Sequence, residues 1–171
     1  MISVSDFIPT TDELVDLNSE FAANFSDHDL QVAPIRKMAV VACMDSRMDT
    51  FKLLGLKNGE AHIIRNAGGI VSDDVIRSLC LSQRALGTRE IVLVHHTDCG
   101  LEKVTDDGFK NQLETELGIK PRWSVESFLD PYVDVRQSMQ RLVVTPFVDA
   151  TYMRGFVYDV TTGAINEVTL D

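Results

Sequence analysis

Two apolar stretches of the chain, residues 38–43 and 91–94, most constrain how it can fold. The first shows no alternation between polar and apolar side chains. A strand without such alternation is buried on both faces, as in the parallel sheets of α/β proteins. Helical patterns separate these stretches from each other and from a further strand at residues 61–65. The succession of strand, helix, strand, helix and strand predicts an α/β domain with a mostly parallel central sheet.

Capping and turn residues predict the remaining elements. An acidic cap at Thr10 to Glu13 precedes apolar residues at near-helical spacing, namely Leu14, Leu17, Phe21 and Phe25. Further helices are predicted at residues 49–54, 75–86, 109–117 and 133–142, and two late strands at residues 155–160 and 164–169. The turn at Thr162-Gly163 is expected to join these late strands as a hairpin.

The chain is predicted to divide into an N-terminal helical arm, residues 1–36, and an α/β domain, residues 37–171. The arm is apolar on one face, but helix amphipathicity does not say what that face packs against. A partner subunit and the chain's own domain are equally compatible with the pattern.

Residues that bind metals follow the two apolar strands. Cys43 ends the first, and His96 and Cys99 follow the second. Ligands of α/β sheets collect at the carboxyl ends of the strands, so we expect these three side chains to converge if the strands are neighbours. Two thiolates and one imidazole fill three corners of a zinc tetrahedron and leave the fourth for water, which is typical of a catalytic site. We therefore predict one Zn²⁺ per chain.

Asp45 and Arg47 stand two and four residues after Cys43. An ionised carboxylate only accepts hydrogen bonds. Asp45 beside a zinc-bound hydroxide would therefore accept a hydrogen bond from the hydroxide, which leaves a lone pair of the hydroxide facing the substrate. Arg47 presents a fork that fits a carboxylate, keeps Asp45 ionised and aims it. The same pairing keeps Asp45 away from the fourth zinc position. These residues predict a catalytic pair.

Composition excludes several classes of function. With 16 Lys and Arg against 26 Asp and Glu, the formal net charge of −10 does not provide the basic surface that nucleic acids require. The apolar stretches are too short to span a bilayer, and Met1 to Asp6 do not resemble a signal peptide. A cytoplasmic location is expected, where thiols stay reduced.

Two further residues of metal-binding type are not expected to be ligands. Cys80 is predicted to be a buried helix residue, and the His95 side chain is predicted to face away from His96.

The segment Cys43-Met44-Asp45-Ser46-Arg47, the later His96-Thr97-Asp98-Cys99-Gly100 and the intervening Arg65-Asn66-Ala67-Gly68 together resemble a β-class carbonic anhydrase of the short prokaryotic type. The resemblance runs from about residue 36 to the C-terminus. It implies reversible hydration of carbon dioxide to bicarbonate and a proton, with Cys43, His96 and Cys99 as zinc ligands and Asp45 with Arg47 as the catalytic pair.

The resemblance also implies a parallel sheet with one antiparallel strand, flanked by helices. It implies a homodimer or higher oligomer in which the N-terminal helix lies across the partner, and a closed, inactive state in which Asp45 itself binds zinc. Candidates for the proton shuttle are His28 and His62, because histidine titrates near neutral pH.

Two alternatives remain open at this point. The same scaffold also carries hydrolases of carbon disulfide or carbonyl sulfide, which share the ligand set. A protein that holds zinc without turnover and senses oxidation through its two thiolates is the other alternative. Asp45 and Arg47 would have no purpose in that second case.

Overall fold

A computed structural model describes residues 7–170 of the chain. The prediction about a signal peptide concerns Met1 to Asp6, which lie outside the described residues. The chain forms two compact units, one ending at Leu30 and one beginning at Gln31. Within residues 7–170, no helix is both long and apolar enough to span a lipid bilayer.

The first unit is built around helix α1, Thr11–Ala23. Acidic residues occupy its first turn, where they favour the positive end of the helix dipole. No residue of α1 is buried, and the apolar side chains of Leu14, Leu17 and Phe21 are each more than half exposed. The helix therefore carries an exposed apolar face.

The second unit is a five-stranded sheet with helices. Its elements are β1 Met38–Cys43, α2 Thr50–Leu54, β2 Ala61–Asn66, α3 Asp73–Arg84, β3 Glu90–His96, α4 Asp106–Leu117, α5 Pro131–Val143, β4 Tyr152–Tyr158 and β5 Ile165–Val168. The strand order is β2-β1-β3-β4-β5. The first four strands run parallel, and β5 pairs antiparallel with β4. The predicted sheet, its single antiparallel strand and the late hairpin are all confirmed.

Both faces of the sheet are covered, which explains the uninterrupted apolar sequence of β1. Alternate residues of β1 and β3 pack on one side against α3 and α5, where Leu79 and Leu142 are fully buried. The intervening residues pack on the other side with Met48 and Phe128. The carboxyl ends of β1 and β3 consequently lie side by side between two apolar layers.

Local sequence determines where several helices begin and end. Ser72 accepts a hydrogen bond from Val75 N and caps α3, and Asp49 caps α2 in the same way through Lys52 N. Gly55 ends α2 in a left-handed conformation. Helix α3 ends at Arg84, two residues earlier than predicted, because the chain has to turn back into β3.

Candidate metal centre

The three predicted ligands converge. Cys43 is the last residue of β1 and His96 the last of β3, and these two strands are parallel neighbours. Cys99 follows in the turn after β3, at the start of a short 3-10 helix, Gly100–Lys103. The potential ligand atoms of the three residues all lie within 4.8 Å of one another, and all three residues are buried. Strand adjacency brings Cys43 and His96 together, and the turn after β3 brings Cys99 to them.

The imidazole of His96 is oriented for metal binding. Its Nδ1 donates to Thr97 O at 2.9 Å, which leaves Nε2 as the unprotonated nitrogen of the neutral ring. Nε2 is buried and has no hydrogen-bond partner. A lone pair that faces two sulfur atoms in a buried site is costly unless something binds it. This unpartnered nitrogen fits a cation held together with the two thiols.

The two thiols are unequal in the metal-free chain. Interaction with the Cys99 thiol lowers the pKa of Cys43 well below its ordinary value, against the opposing effect of burial and with help from His96. The same interaction and burial raise the pKa of Cys99. Burial disfavours the charged form of His96, but the nearby Cys43 thiolate leaves its pKa raised overall. A dication would allow both sulfurs to ionise, because thiolates are the form that binds metals.

Asp45 and Arg47 form a closely fitted pair beside the ligands. Arg47 donates from Nε to Oδ1 at 2.9 Å and from Nη2 to Oδ2 at 2.8 Å, and its backbone N–H also donates to Oδ1. These hydrogen bonds hold the pKa of Asp45 far below its ordinary value. Asp45 Oδ2 lies 3.7 Å from His96 Nε2. The carboxylate is therefore ionised, aimed by arginine and adjacent to the ligand set.

A second carboxylate, Asp98, binds the other side of Arg47. Arg47 Nη1 donates to Asp98 Oδ2 at 2.8 Å and Nη2 to the Asp98 carbonyl at 2.9 Å, while Lys103 Nζ binds Oδ1. Lys103 and Arg47 together lower the pKa of Asp98 to about 2. Asp98 has φ of 56°, a left-handed conformation that Asp tolerates better than most residues. Asp98 stands in the motif that follows β3, but no role was predicted for it from the sequence.

Arg65 fixes the backbone that carries both Cys43 and Asp45. Its Nε donates to Cys43 O at 2.9 Å and its Nη2 to Asp45 O at 2.7 Å. One guanidinium from β2 therefore binds the backbone of both the predicted ligand Cys43 and Asp45. Arg65 was noted in the sequence only as part of the family resemblance, because a contact with backbone carbonyls leaves no pattern in the sequence.

Three further residues considered in the sequence, His95, His62 and Cys80, lie apart from the ligand cluster. His95 points away from it, as predicted: its Nε2 contacts Gly69 O at 3.1 Å and its Nδ1 lies 3.2 Å from Asp134 of α5. His62 sits near the amino end of β2, hydrogen-bonded at Nδ1 and Nε2, so it is poorly placed to carry protons from the opposite end of the sheet. Cys80 is partly buried and lines a separate cavity of about 720 Å³ against α3 and α5.

The ligand cluster opens into a small chamber. Its volume is about 230 Å³, and its walls are Cys43, Met44, Asp45, Ala67, Gly68, Cys99, Gly100 and Leu101. Two of the three predicted ligands, Cys43 and Cys99, and the Asp45 carboxylate therefore line this chamber. It offers a small molecule one approach to the position between Asp45 and the thiols.

Comparison with known proteins agrees with this geometry. Residues 38–126 match the family model described as carbonic anhydrase. A relative from Mycobacterium tuberculosis named Beta-carbonic anhydrase 1 is 55% identical over 160 residues, which span 93% of this chain and 98% of the relative. A carbon disulfide hydrolase from an Acidianus species is 45% identical over 96 residues, but these span only 56% of this chain and 45% of that enzyme.

Solved structures resemble the whole chain. A carbonic anhydrase from Streptococcus mutans superposes with a TM-score of 0.89 at 38% identity, and the superposition covers 95% of this chain and 99% of the other. A carbonic anhydrase from Glaciozyma antarctica gives a TM-score of 0.81 at 31% identity and covers 99% of this chain and 100% of its own. The similarity therefore extends over both units of the chain.

Proposed function

The chain belongs to the β-class carbonic anhydrases and catalyses the reversible hydration of carbon dioxide to bicarbonate and a proton, and for this reaction we propose that Cys43, His96 and Cys99 hold one zinc ion per chain. The buried, unpartnered Nε2 of His96 between two sulfurs is the observation that carries this assignment. Zinc bound there supplies a Lewis acid that makes a nucleophile of water near neutral pH.

Asp45 orients the attacking water in this proposal. Its carboxylate accepts the hydrogen bond of the nucleophile and leaves a lone pair directed at the carbon of carbon dioxide. Arg47 already occupies one edge of the carboxylate, so the group remains charged and turns little. Bicarbonate leaves when a new water enters the chamber, and the proton of that water passes to the solvent.

Asp98 supports the pair from behind. It binds the opposite edge of the Arg47 guanidinium, so the arginine is fixed from two sides. In an inactive state Asp45 would leave Arg47 and take the fourth metal position itself; the 3.7 Å between Asp45 Oδ2 and His96 Nε2 makes this a short movement. Asp98 opposes that movement, because it holds Arg47 in place and Asp45 would have to give up its hydrogen bonds to Arg47 in order to move.

Carbon disulfide hydrolysis is not favoured as the main activity. In sequence, the hydrolases with this function align with about half of the chain or less, whereas the carbonic anhydrase from M. tuberculosis aligns with 93% of it.

We further propose that the chain is a cytoplasmic homodimer, or a higher oligomer, in which α1 packs on a partner subunit. The exposed Leu14, Leu17 and Phe21 on one helix support this, since such a face is costly to leave in water. Sedimentation should give at least a dimer for the native chain. A Leu17→Ser/Phe21→Ser variant should dissociate at a higher protein concentration than the control variant Asn18→Ser. A monomeric native chain would contradict the proposal.

Stopped-flow measurement of carbon dioxide hydration, with zinc content determined on the same sample, tests the catalytic assignment. We expect about one zinc per chain in native protein, and an Asp45→Ala variant that keeps its zinc but loses activity by about 100-fold. Asp107→Ala removes an exposed carboxylate from α4 and should leave both unchanged. Full activity in Asp45→Ala would overturn the role of Asp45, and zinc without activity in native protein would favour a metal-holding function.

A further inference from the structure

A second cavity adjoins the metal chamber. It has a volume of about 500 Å³, and its lining includes Ala67, Gly100, Leu101, Phe109, Trp123 and Val125. Three of these residues, Ala67, Gly100 and Leu101, also line the metal chamber. The two spaces therefore share one wall, and of the three shared residues only Leu101 has a side chain that extends beyond Cβ.

Leu101 closes the gap between the two sides of that wall. It belongs to the 3-10 helix after Cys99, and its Cδ1 reaches the turn on the other side, where a Cβ placed on Gly68 would lie 2.5 Å from it. The ring of Phe128 would lie 3.3 Å from the same point. Because Gly68 has no side chain, Leu101 packs directly on the turn, next to Ile70, whose Cγ2 would lie 3.1 Å from the same point.

We propose that Leu101 is a specificity-determining residue: it separates the metal chamber from the apolar cavity and so restricts the chamber to small ligands. This inference rests on the proposed metal-centred function. A linear molecule the size of carbon dioxide fits the chamber of about 230 Å³ without disturbing Leu101. A metal-binding anion whose aromatic ring reaches from the chamber into the apolar cavity has to place the ring where the Leu101 side chain stands.

The cavity behind Leu101 suits an uncharged ring. Phe109 and Trp123 form one side with ring centroids 6.5 Å apart, and Val104 and Val125 add aliphatic surface. The hydroxyl of Ser124 is engaged with Asp106. An aromatic group that entered from the metal chamber would therefore exchange water for apolar contacts, which is favourable in proportion to the area buried.

Two thiols test the proposal on the zinc-loaded protein. Ethanethiol and benzenethiol both offer a thiolate to zinc, but only the second carries a ring. We expect Leu101→Ala to raise the preference for benzenethiol over ethanethiol, measured as the ratio of inhibition constants, by about tenfold, because the ring is then buried in the apolar cavity. Val104→Ala is the matched control: it enlarges the cavity without opening the wall and should leave the ratio unchanged.

Trp123 provides a readout that does not depend on activity. It is the single tryptophan of the chain and lines the cavity, so a ring that enters should quench its fluorescence. In Leu101→Ala, ethanethiol should reverse the quenching by benzenethiol, since one benzenethiol then spans both spaces. In the native protein, any quenching should resist ethanethiol.

An unchanged inhibition ratio, or quenching that ethanethiol does not reverse in the variant, would overturn the role of Leu101. Leu101→Val, which removes less of the wall, should give a smaller change in the same direction and covers the case in which the alanine variant does not fold. If zinc-loaded native protein fails to hydrate carbon dioxide, the proposed function fails, but the fluorescence competition still decides whether Leu101 separates the two spaces.

Discussion

Gly69 is expected to tolerate no side chain, because its Cα faces the backbone that carries the first ligand. A Cβ at this position would lie 2.9 Å from Cys43 N, 3.0 Å from Ala42 C and 3.2 Å from Val94 O. These are backbone atoms of two central strands, so they cannot move aside as the end of a flexible side chain would. Gly69 also has φ of +73°, which is unfavourable for any residue with a Cβ.

The cost of Gly69→Ala has two parts. The left-handed conformation contributes about 1–2 kcal/mol. The clash in a packed region contributes about 1–3 kcal/mol more. Gly118→Ala isolates the first part, because Gly118 has φ of +74° and a Cβ there would meet nothing within 4 Å. The difference between the two variants in free energy of unfolding should therefore be about 2 kcal/mol.

Thermal unfolding of zinc-loaded protein at one fixed protomer concentration measures this difference, since oligomers make Tm depend on concentration. A difference of about 2 kcal/mol corresponds to a Tm for Gly69→Ala that is about 4–8 °C below that of Gly118→Ala. Zinc affinity should fall only in Gly69→Ala, because relief of the clash displaces Cys43. Equal Tm values for the two variants would refute the steric reasoning.

Three further changes have calculable outcomes. Asp98→Asn should lower kcat/KM for carbon dioxide about tenfold at unchanged zinc content, because the Arg47 guanidinium then loses the negative charge of its second carboxylate partner; Asn tolerates the left-handed backbone, and stopped flow measures the rate. Asp106→Asn should cost about 2 kcal/mol in urea unfolding, since the carboxylate accepts four hydrogen bonds from the loop before α5. Those hydrogen bonds lower the pKa of the Asp106 carboxyl below 3.8, so the stabilisation they provide is complete well above that pH and is lost as the pH falls further. The difference in free energy of unfolding between the native protein and the variant should therefore be constant between about pH 5 and 8 and shrink below about pH 4. Ser82→Ala should cost about 2 kcal/mol by the same unfolding assay, because it leaves His62 Nδ1 without its partner at 2.7 Å.

The sheet and the ligand cluster could be predicted because both depend on features that the sequence states locally. The apolar run of β1 requires burial on both faces, and a parallel sheet provides it. Once β1 and β3 are neighbours, Cys43 and His96 have to meet at the same edge. The caps of α2 and α3 were predictable for a similar reason, because each rests on one side chain and the next few backbone N–H groups.

Contacts between distant segments account for what the sequence analysis missed. Asp98 meets Arg47 across 51 residues of sequence, and Arg65 binds backbone carbonyls that any residue would present. Helix α4 begins at Asp106, three residues before the prediction, and the Asp106 carboxylate there is held by residues 124–127. Strand β4 likewise begins at Tyr152, an exposed residue whose place is set by pairing with β3.

The central claim is that two sulfurs and one imidazole hold zinc and leave one position open. X-ray absorption at the zinc edge of the native protein tests it most directly. We expect two sulfur neighbours at about 2.3 Å and two nitrogen or oxygen neighbours at about 2.0–2.1 Å. One of these nitrogen or oxygen neighbours should be an imidazole, and its signal should disappear in His96→Ala. Four sulfur neighbours, or none, would contradict the assignment of Cys43, His96 and Cys99 as the ligands.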